Sequence, residues 1–227
     1  STEAARGADG VHLVLTGADL AHLGDLKSTL MMPQPDGTKA PTRDIPILCR
    51  DRVEHVGDAV AFVVAETRAQ AQDAAELIEI EYEAEEAIAD TATSPDKAFE
   101  YKLGDEARTN EAFAKAAHVT KISVLNNRLV SNYMEPRAAI GEWLVDEERF
   151  VLTTGSQGVH SMRRILADQV FNVPQEKIRV VTPDVGGGFG PKACTYREHP
   201  LVLEAAKRLG RPVKWTGDRT EHFLVDG

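Results

Sequence analysis

The sequence predicts an α+β fold in two parts, and three observations carry that reading. A strand–helix–strand pattern fills residues 1–85. An acidic, turn-rich stretch over 85–104, without a long apolar run, then acts as a connector. Beyond it, short alternating strands and amphipathic helices continue to Gly227, interrupted by two glycine-bearing loops.

Val11–Thr16 reads as a strand closed by a glycine turn. Residues 28–47 collect Pro33, Pro35, Gly37, Pro41 and Pro46 and read as a long surface loop. Ala59–Ala65 is continuously apolar and reads as a buried strand. Thr67 is placed to cap a helix over 68–79, whose Ala69, Ala71, Ala74 and Ala75 let it lie close to a sheet. Ile80–Glu83 alternates and reads as a strand with one wet face.

Thr109–His118 reads as a short helix with Phe113 and Ala117 inward. Val119–Val130 reads as extended, with Ile122, Val124 and Leu129 inward. Two further strands are expected at 138–143 and 150–154, turning at Asp146–Glu148. Ser161–Phe171 is an amphipathic helix stopped by Asn172-Val-Pro174. Lys177–Val181 is the next strand and leads directly into the glycine cluster. His199–Leu209 is a helix with Pro200 in its first turn and Gly210 at its end, and Pro212–Trp215 is a strand. Thr220–Leu224 opens a new segment.

Composition limits the classes of function. With 26 Lys and Arg against 36 Asp and Glu, the net charge of −10 disfavours non-specific nucleic-acid binding. No run of 18 apolar residues is present, so no membrane-spanning segment is expected. The chain opens as though entered partway and shows no signal peptide, which makes the cytoplasm the expected setting. Its 2 cysteines, Cys49 and Cys194, allow one disulfide but exclude a four-cysteine iron–sulfur site within this chain.

The strongest chemical signal is Asp184-Val-Gly-Gly-Gly-Phe-Gly-Pro-Lys192. Consecutive glycines cost backbone entropy and are kept where a chain turns sharply or lets something approach. The dinucleotide fingerprint fails here: from Gly186 the offset-two glycine is Gly188, but offset five is Pro191. The triphosphate loop fails as well, because Pro191 and Ala193 flank Lys192 where glycine and Ser or Thr are required. Two readings stay open, a ligand-holding backbone surface or a structural turn with an exposed lysine and Phe189 as its core anchor.

A second loop, Thr153-Thr-Gly-Ser-Gln-Gly-Val-His160, lies between a strand and a helix. It offers Ser156 or Gln157 at the top of the sheet, or serves simply as a polar helix cap. Glu135 and Arg137, two apart, are expected to form a structural ion pair. Cys194 is expected to be a buried, inert thiol. The 7 histidines show no tight metal spacing, and Ser156 lies outside a G-x-S-x-G elbow.

Three stretches taken together resemble the large subunit of the molybdenum hydroxylases, the family of xanthine dehydrogenase, aldehyde oxidase and aerobic carbon monoxide dehydrogenase. They are Asp51–Thr67 with the alanine-rich helix after it, Ser156–His160 after Thr153-Thr-Gly, and Pro183–Lys192 continued by Tyr196–Arg219. The resemblance implies a small a/b hammerhead domain over 1–90, a connector over 91–118, and the first part of a molybdopterin-binding α+β domain over 119–227. It implies that Gln157 lies over the metal's oxo ligand without bonding the metal. It makes Phe189 and Gly190 the pair whose backbone meets the pterin, with Gly187 and Gly188 shaping the approach. Pro191 departs from the small residue usual there. Ala193 stands where xanthine-type enzymes carry a substrate-contacting glutamate, which disfavours a purine.

The resemblance further implies a molybdopterin-type molybdenum cofactor, with iron–sulfur clusters and FAD on partner subunits or domains of a multimeric assembly. The remainder of the large subunit is itself a partner for this chain. The family's catalytic glutamate belongs to sequence outside these residues, and Glu135 is not its replacement. The substrate would be an aldehyde, an N-heterocycle or a molecule like carbon monoxide. The other classes of function are a non-catalytic assembly piece or split subunit, and a nucleotide-binding domain, which both motif failures disfavour. The isolated chain is expected to be inactive.

Overall fold

A computed structural model describes residues 1–28, 36–38, 43–90, 93–94, 100–127 and 129–226. Pro33, Pro35 and Pro41 of the expected loop lie outside the described residues. The chain divides into two units, one of residues 1–27, 44–84 and 130–227, the other of residues 28–43 and 85–129. Among the described residues no helix is long and apolar enough to cross a membrane.

In the first unit, β1 (Val11–Thr16) pairs antiparallel with β2 (Ala61–Ala65), matching Val14 with Val63 and Leu15 with Phe62. The expected buried strand is shorter than its apolar run and only half-buried throughout. After it, α1 (Arg68–Glu76) starts on a reciprocal cap. The Gln70 N–H donates to Thr67 Oγ1 at 3.2 Å and the Thr67 N–H to Gln70 Oε1 at 3.0 Å. That arrangement satisfies two otherwise orphaned donors and stabilises by about 1 kcal/mol. Buried Ala74 lets α1 approach Val14 and Ala5. Ile80–Glu83 forms no strand, and Ile80 and Tyr82 are 42% and 64% exposed. Alternation alone cannot hold a strand that has no neighbour to pair with.

The larger sheet has the order β5-β4-β3-β6. Strands β3 (Ala138–Leu144) and β4 (Arg149–Thr154) are antiparallel, joined by a single 3₁₀ turn that ends on Glu148 at φ 46°. From β4, α3 (Val159–Ile165) continues through wider π-type turns over Leu166–Phe171 and stops at Asn172, φ 50°. The widened turn leaves the Val170 carbonyl to accept from the Gly24 N–H at 2.8 Å. β5 (Ile178–Val181) then pairs parallel to β4. α4 (Glu198–Leu209) ends on Gly210 at φ 62°, and β6 (Val213–Thr216) pairs antiparallel with β3. α5 (Arg219–Val225) closes the chain.

One apolar cluster joins Phe150, Leu152, Met162, Leu166, Ile178 and Val202 between the sheet, α3 and α4. A second joins Leu15, Leu20, Ile47 and Leu48 to Val170 and Leu201. Because β4 and β5 are parallel, the loops after them leave the same end of the sheet. That is the end where mixed and parallel sheets present ligand-binding loops.

In the second unit, α2 (Glu106–Lys115) is capped by the Asp105 carboxylate, which accepts from the Arg108 N–H at 3.0 Å. Phe113 is 58% exposed, and Ala117 is exposed too, so neither forms an inner face. The described residues of 119–130 form no strand, and Ile122, Val124 and Leu129 are 77–87% exposed instead of inward. Among the described residues of this unit they meet no second apolar layer against which to fold.

Candidate functional site

The loop after β4 and the loop after β5 meet. The Gln157 N–H donates to the Lys192 carbonyl at 2.9 Å, and the Gly190 N–H donates to Gln157 Oε1 at 3.0 Å. Gln157 Nε2 makes no hydrogen bond among the described residues. A Cβ at Gly188 would lie 2.4 Å from Gln157 Oε1, so the carboxamide occupies the space a side chain would fill. Gly187 and Gly190 sit at φ 95° and 108°, a region that favours glycine. Phe189 also has positive φ, at 50°, and its residue is 74% exposed, so it does not anchor the loop in a core. Ser156 is buried, and its Oγ accepts from the Gly158 N–H at 3.0 Å, a local turn that frees Gln157 to project.

Glu135 and Lys192 clamp the glycine loop from behind. Glu135 Oε2 accepts from Lys192 Nζ at 2.6 Å and from the Gly186 N–H at 2.8 Å, while the Glu135 N–H donates to the Gly186 carbonyl at 3.2 Å. The hydrogen bond from Lys192, working against a smaller desolvation and helped by Gly186, holds the Glu135 carboxyl below the usual carboxylate range. Lys192 is not the exposed lysine of the structural-turn reading: its side chain is 1% exposed, whereas Glu135 is 44% exposed. Tyr196 donates to the Pro191 carbonyl at 2.9 Å, so the one residue of this loop without an N–H is held through its carbonyl.

The expected Glu135–Arg137 pair does not form. The chain bends at Met134 and Glu135, which breaks the two-residue alternation that would put both side chains on one face. Arg137 turns inward and is 4% exposed. Its Nη1 donates to Asp226 Oδ1 at 2.6 Å, its Nε lies 3.1 Å from Glu198 Oε1, and its guanidinium stacks over Tyr196 at 3.6 Å. The Glu198 contact has ion-pair distance without hydrogen-bond alignment. Around it, Tyr133 Oη donates to Asp226 Oδ2 and meets His222 Nδ1 at 2.9 Å, and His222 Nε2 accepts from the Arg137 N–H at 3.2 Å. Those partners require a neutral His222 protonated on Nδ1. Burial and the Arg137 charge push its pKa down in keeping with that.

His199 is also held neutral. Its Nδ1 accepts from the Tyr196 N–H at 3.0 Å, and burial, then the Arg137 charge, push its pKa down to about 3. The unfolded chain therefore takes up a proton below pH 6.5 that the folded chain refuses. Stability is expected to be full above pH 6.5 and to fall as the pH drops from there toward 3. Denaturant midpoints between pH 7.5 and 4 check this, and His199→Gln is expected to flatten the slope. An unchanged slope would show that His199 is not its source.

Cys194 is exposed, against expectation, because it follows the 3₁₀ turn Pro191–Ala193 on the outer side of the loop. No disulfide joins it to buried Cys49. No group of three metal-ligating side chains occurs among the described residues. Sequence reading missed Lys192 as a buried anchor and the Tyr133–His222–Asp226 network. Partners 57 to 93 positions apart leave no local pattern.

Comparison with known proteins agrees with this architecture. A family described as the molybdopterin cofactor-binding domain matches residues 89–227, and the a/b hammerhead domain of aldehyde oxidase and xanthine dehydrogenase matches residues 1–86. The chain is 33% identical to the nicotine 6-hydroxylase large subunit of Paenarthrobacter nicotinovorans, over 99% of this chain and 28% of that protein. It is 30% identical to the carbon monoxide dehydrogenase large chain of Afipia carboxidovorans, over 98% of this chain and 29% of that one. Quinoline 2-oxidoreductase from Pseudomonas putida 86 superposes with a TM-score of 0.84 at 34% identity, over 99% of this chain and 29% of that chain. The chain thus spans under a third of the length of these relatives. It belongs to the molybdenum hydroxylase large-subunit family of xanthine dehydrogenase, aldehyde oxidase and carbon monoxide dehydrogenase, and it carries an a/b hammerhead domain followed by the start of the molybdopterin-binding α+β domain.

Proposed function

We propose that this chain forms one wall of the molybdopterin site in an enzyme that oxidatively hydroxylates an aldehyde, an N-heterocycle or a molecule like carbon monoxide. The observation that carries the reading is the Gln157 carboxamide: its oxygen is tied to the Gly190 N–H, and its Nε2 is left to donate. A donor fixed at its other end suits an acceptor oxygen on a bound cofactor. The backbone at Gly187, Gly188, Phe189 and Gly190 fits a cofactor that approaches closely. An added Cβ at Gly188 would meet the Gln157 carboxamide at 2.4 Å, and one at Gly190 would meet nothing within 4 Å. The bound molybdopterin would supply the redox chemistry, while the protein binds and orients.

Glu135 is not the proton-abstracting base in this reading, since Lys192 and Gly186 both bond its Oε2 and hold its pKa down, which weakens it as a base. The base belongs to the rest of the large subunit, and iron–sulfur clusters and FAD to partner subunits or domains. The names of relatives, a hydroxylase large subunit and a dehydrogenase complex subunit, support a multimeric assembly. Nicotine 6-hydroxylase and quinoline 2-oxidoreductase support the N-heterocycle within the substrate class. Residues 1–90, 91–118 and 119–227 serve as hammerhead, connector and pterin-binding segment. A cytoplasmic setting goes with two cysteines outside any disulfide.

Molybdenum and pterin analysis of the full-length subunit tests the reading. About one of each per subunit is expected, and an active assembly without pterin would overturn it. Gly188→Val is expected to keep the pterin and lose most turnover, because its side chain displaces the Gln157 carboxamide. Gln157→Leu is expected to keep pterin and lose turnover. The chain alone is expected to be inactive.

A further inference from the structure

Beyond the glycine loop, Tyr196 reaches back to it. Its hydroxyl donates to the Pro191 carbonyl at 2.9 Å. That carbonyl does not need the hydroxyl to be satisfied, because the Cys194 N–H also donates to it, at 3.3 Å. The tyrosine is nevertheless held at three places. Its ring lies under the Arg137 guanidinium, 3.6 Å from the ring centroid. Its N–H donates to His199 Nδ1 at 3.0 Å, and His199 Nε2 lies 3.4 Å from Thr154 Oγ1 on the last residue of β4. The next residue, Arg197, bonds the Asp58 carboxylate through Nη2. Burial pushes the phenol pKa up to about 12, against the pull of Arg137, so the hydroxyl keeps its proton through the neutral range.

The bonded carbonyl sits at a sensitive point of the loop. Gly190, at φ 108°, has the backbone freedom of a residue without a Cβ, and no neighbour within 4 Å would meet a Cβ there. Pro191 follows it with φ fixed by its ring, so the direction of its carbonyl fixes ψ and leaves that residue no soft backbone angle. Tyr196 therefore holds the frame to which Gly190 is joined. On the other side, the Gly190 N–H donates to Gln157 Oε1 at 3.0 Å. A chain of contacts thus runs from the Tyr196 hydroxyl through Pro191 and Gly190 to the carboxamide. Both of its ends rest on β4, Gln157 through the loop that follows the strand and Tyr196 through His199 and Thr154.

We propose that Tyr196 is a positioning residue for the cofactor site: its hydroxyl, through the Pro191 carbonyl, holds the Gly190 backbone where Gln157 and the pterin meet it. The inference rests on the molybdopterin reading of the two loops. It adds to them a side chain whose hydroxyl bonds neither Gln157 nor the glycine run. A bond that served stability alone would change pterin retention only as far as it changed the thermal midpoint. A positioning bond changes retention beyond that.

Tyr196→Phe removes the hydroxyl and keeps the ring that Arg137 covers, so the variant is expected to fold. In the full-length subunit, the rate at which bound pterin is released on dilution is followed by the fluorescence of the freed pterin, beside the thermal midpoint. Release is expected to be about fivefold faster in Tyr196→Phe than in the parent, the factor that one hydrogen bond of ordinary net strength gives. Ile47→Val, in the apolar cluster around Leu15 and Leu20, is the control. It is expected to lower the midpoint at least as far and to leave the release rate unchanged. A parent that holds no pterin overturns the molybdopterin reading and this assignment with it. A parent that holds pterin, with Tyr196→Phe releasing it at the parent rate or Ile47→Val releasing it as fast as Tyr196→Phe, overturns the positioning role alone.

Discussion

Replacing Arg137 with methionine is expected to destabilise the fold by about 3–5 kcal/mol, the cost of stranding buried charges. Arg137 is the counter-charge for two carboxylates, and the side chains of Asp226 and Glu198 are 2% and 9% exposed. Methionine matches much of the aliphatic volume, so the loss reports on electrostatics and not on a cavity. Removing the guanidinium also removes the face that covers Tyr196 at 3.6 Å. That contact adds about 1–2 kcal/mol when desolvated, part of the same total. Arg137→Lys keeps the charge but not the fork, and is expected to lose less. Adding Asp226→Asn and Glu198→Gln to Arg137→Met is expected to recover part of the loss, since neutral side chains need no counter-charge. Denaturant unfolding of all three proteins measures this. A single variant within about 0.5 kcal/mol of the parent would mean that water, not Arg137, satisfies the carboxylates.

What the sequence could and could not reveal follows from the range of each interaction. Thr67 and Gln70 are three residues apart, and the helix they cap was legible as a local pattern. So were the β3–β4 turn and the end of α4 at Gly210, because each rests on neighbouring residues. Ile80–Glu83 and Val119–Val130 carry the right alternation and still form no strand, since pairing depends on a partner that alternation does not specify. At the candidate site, Gln157 and the glycine run were legible through the resemblance. Their juxtaposition was not, because the parallel pairing of β4 with β5 creates it. The expected Glu135–Arg137 pair failed for a related reason. Short sequence separation put the two together, but a bend sent one to Lys192 and the other to Asp226 and Glu198.

Gly141→Val is expected to destabilise the fold by about 3 kcal/mol or more, with Gly141→Ala costing about 1–3 kcal/mol. Local propensity alone predicts the opposite sign. Gly141 lies within β3, paired with Leu152 and Val213, and has none of the positive φ that would call for glycine. At such a position a β-branched residue is ordinarily favoured by up to about 1 kcal/mol, and losing glycine's unfolded-state entropy adds about 0.4–1 kcal/mol. Packing reverses that balance. A Cβ at Gly141 would lie 2.4 Å from both the carbonyl carbon and the oxygen of Val202, and 2.7 Å from the Leu203 nitrogen. These are backbone atoms in the middle of α4, so no rotamer change relieves the contact. The helix itself must lift from the sheet, and with it go Val202, Ala205 and Ala206, all fully buried. Gly7 supplies the control. An added Cβ there meets only ordinary contacts at 3.6 and 3.8 Å, so Gly7→Ala is expected to leave stability within about 1 kcal/mol of the parent. Thermal and denaturant unfolding of the three variants decide between packing and propensity. If Gly141→Val proves as stable as the parent, α4 does not lie on the backbone of β3 as closely as the structure places it.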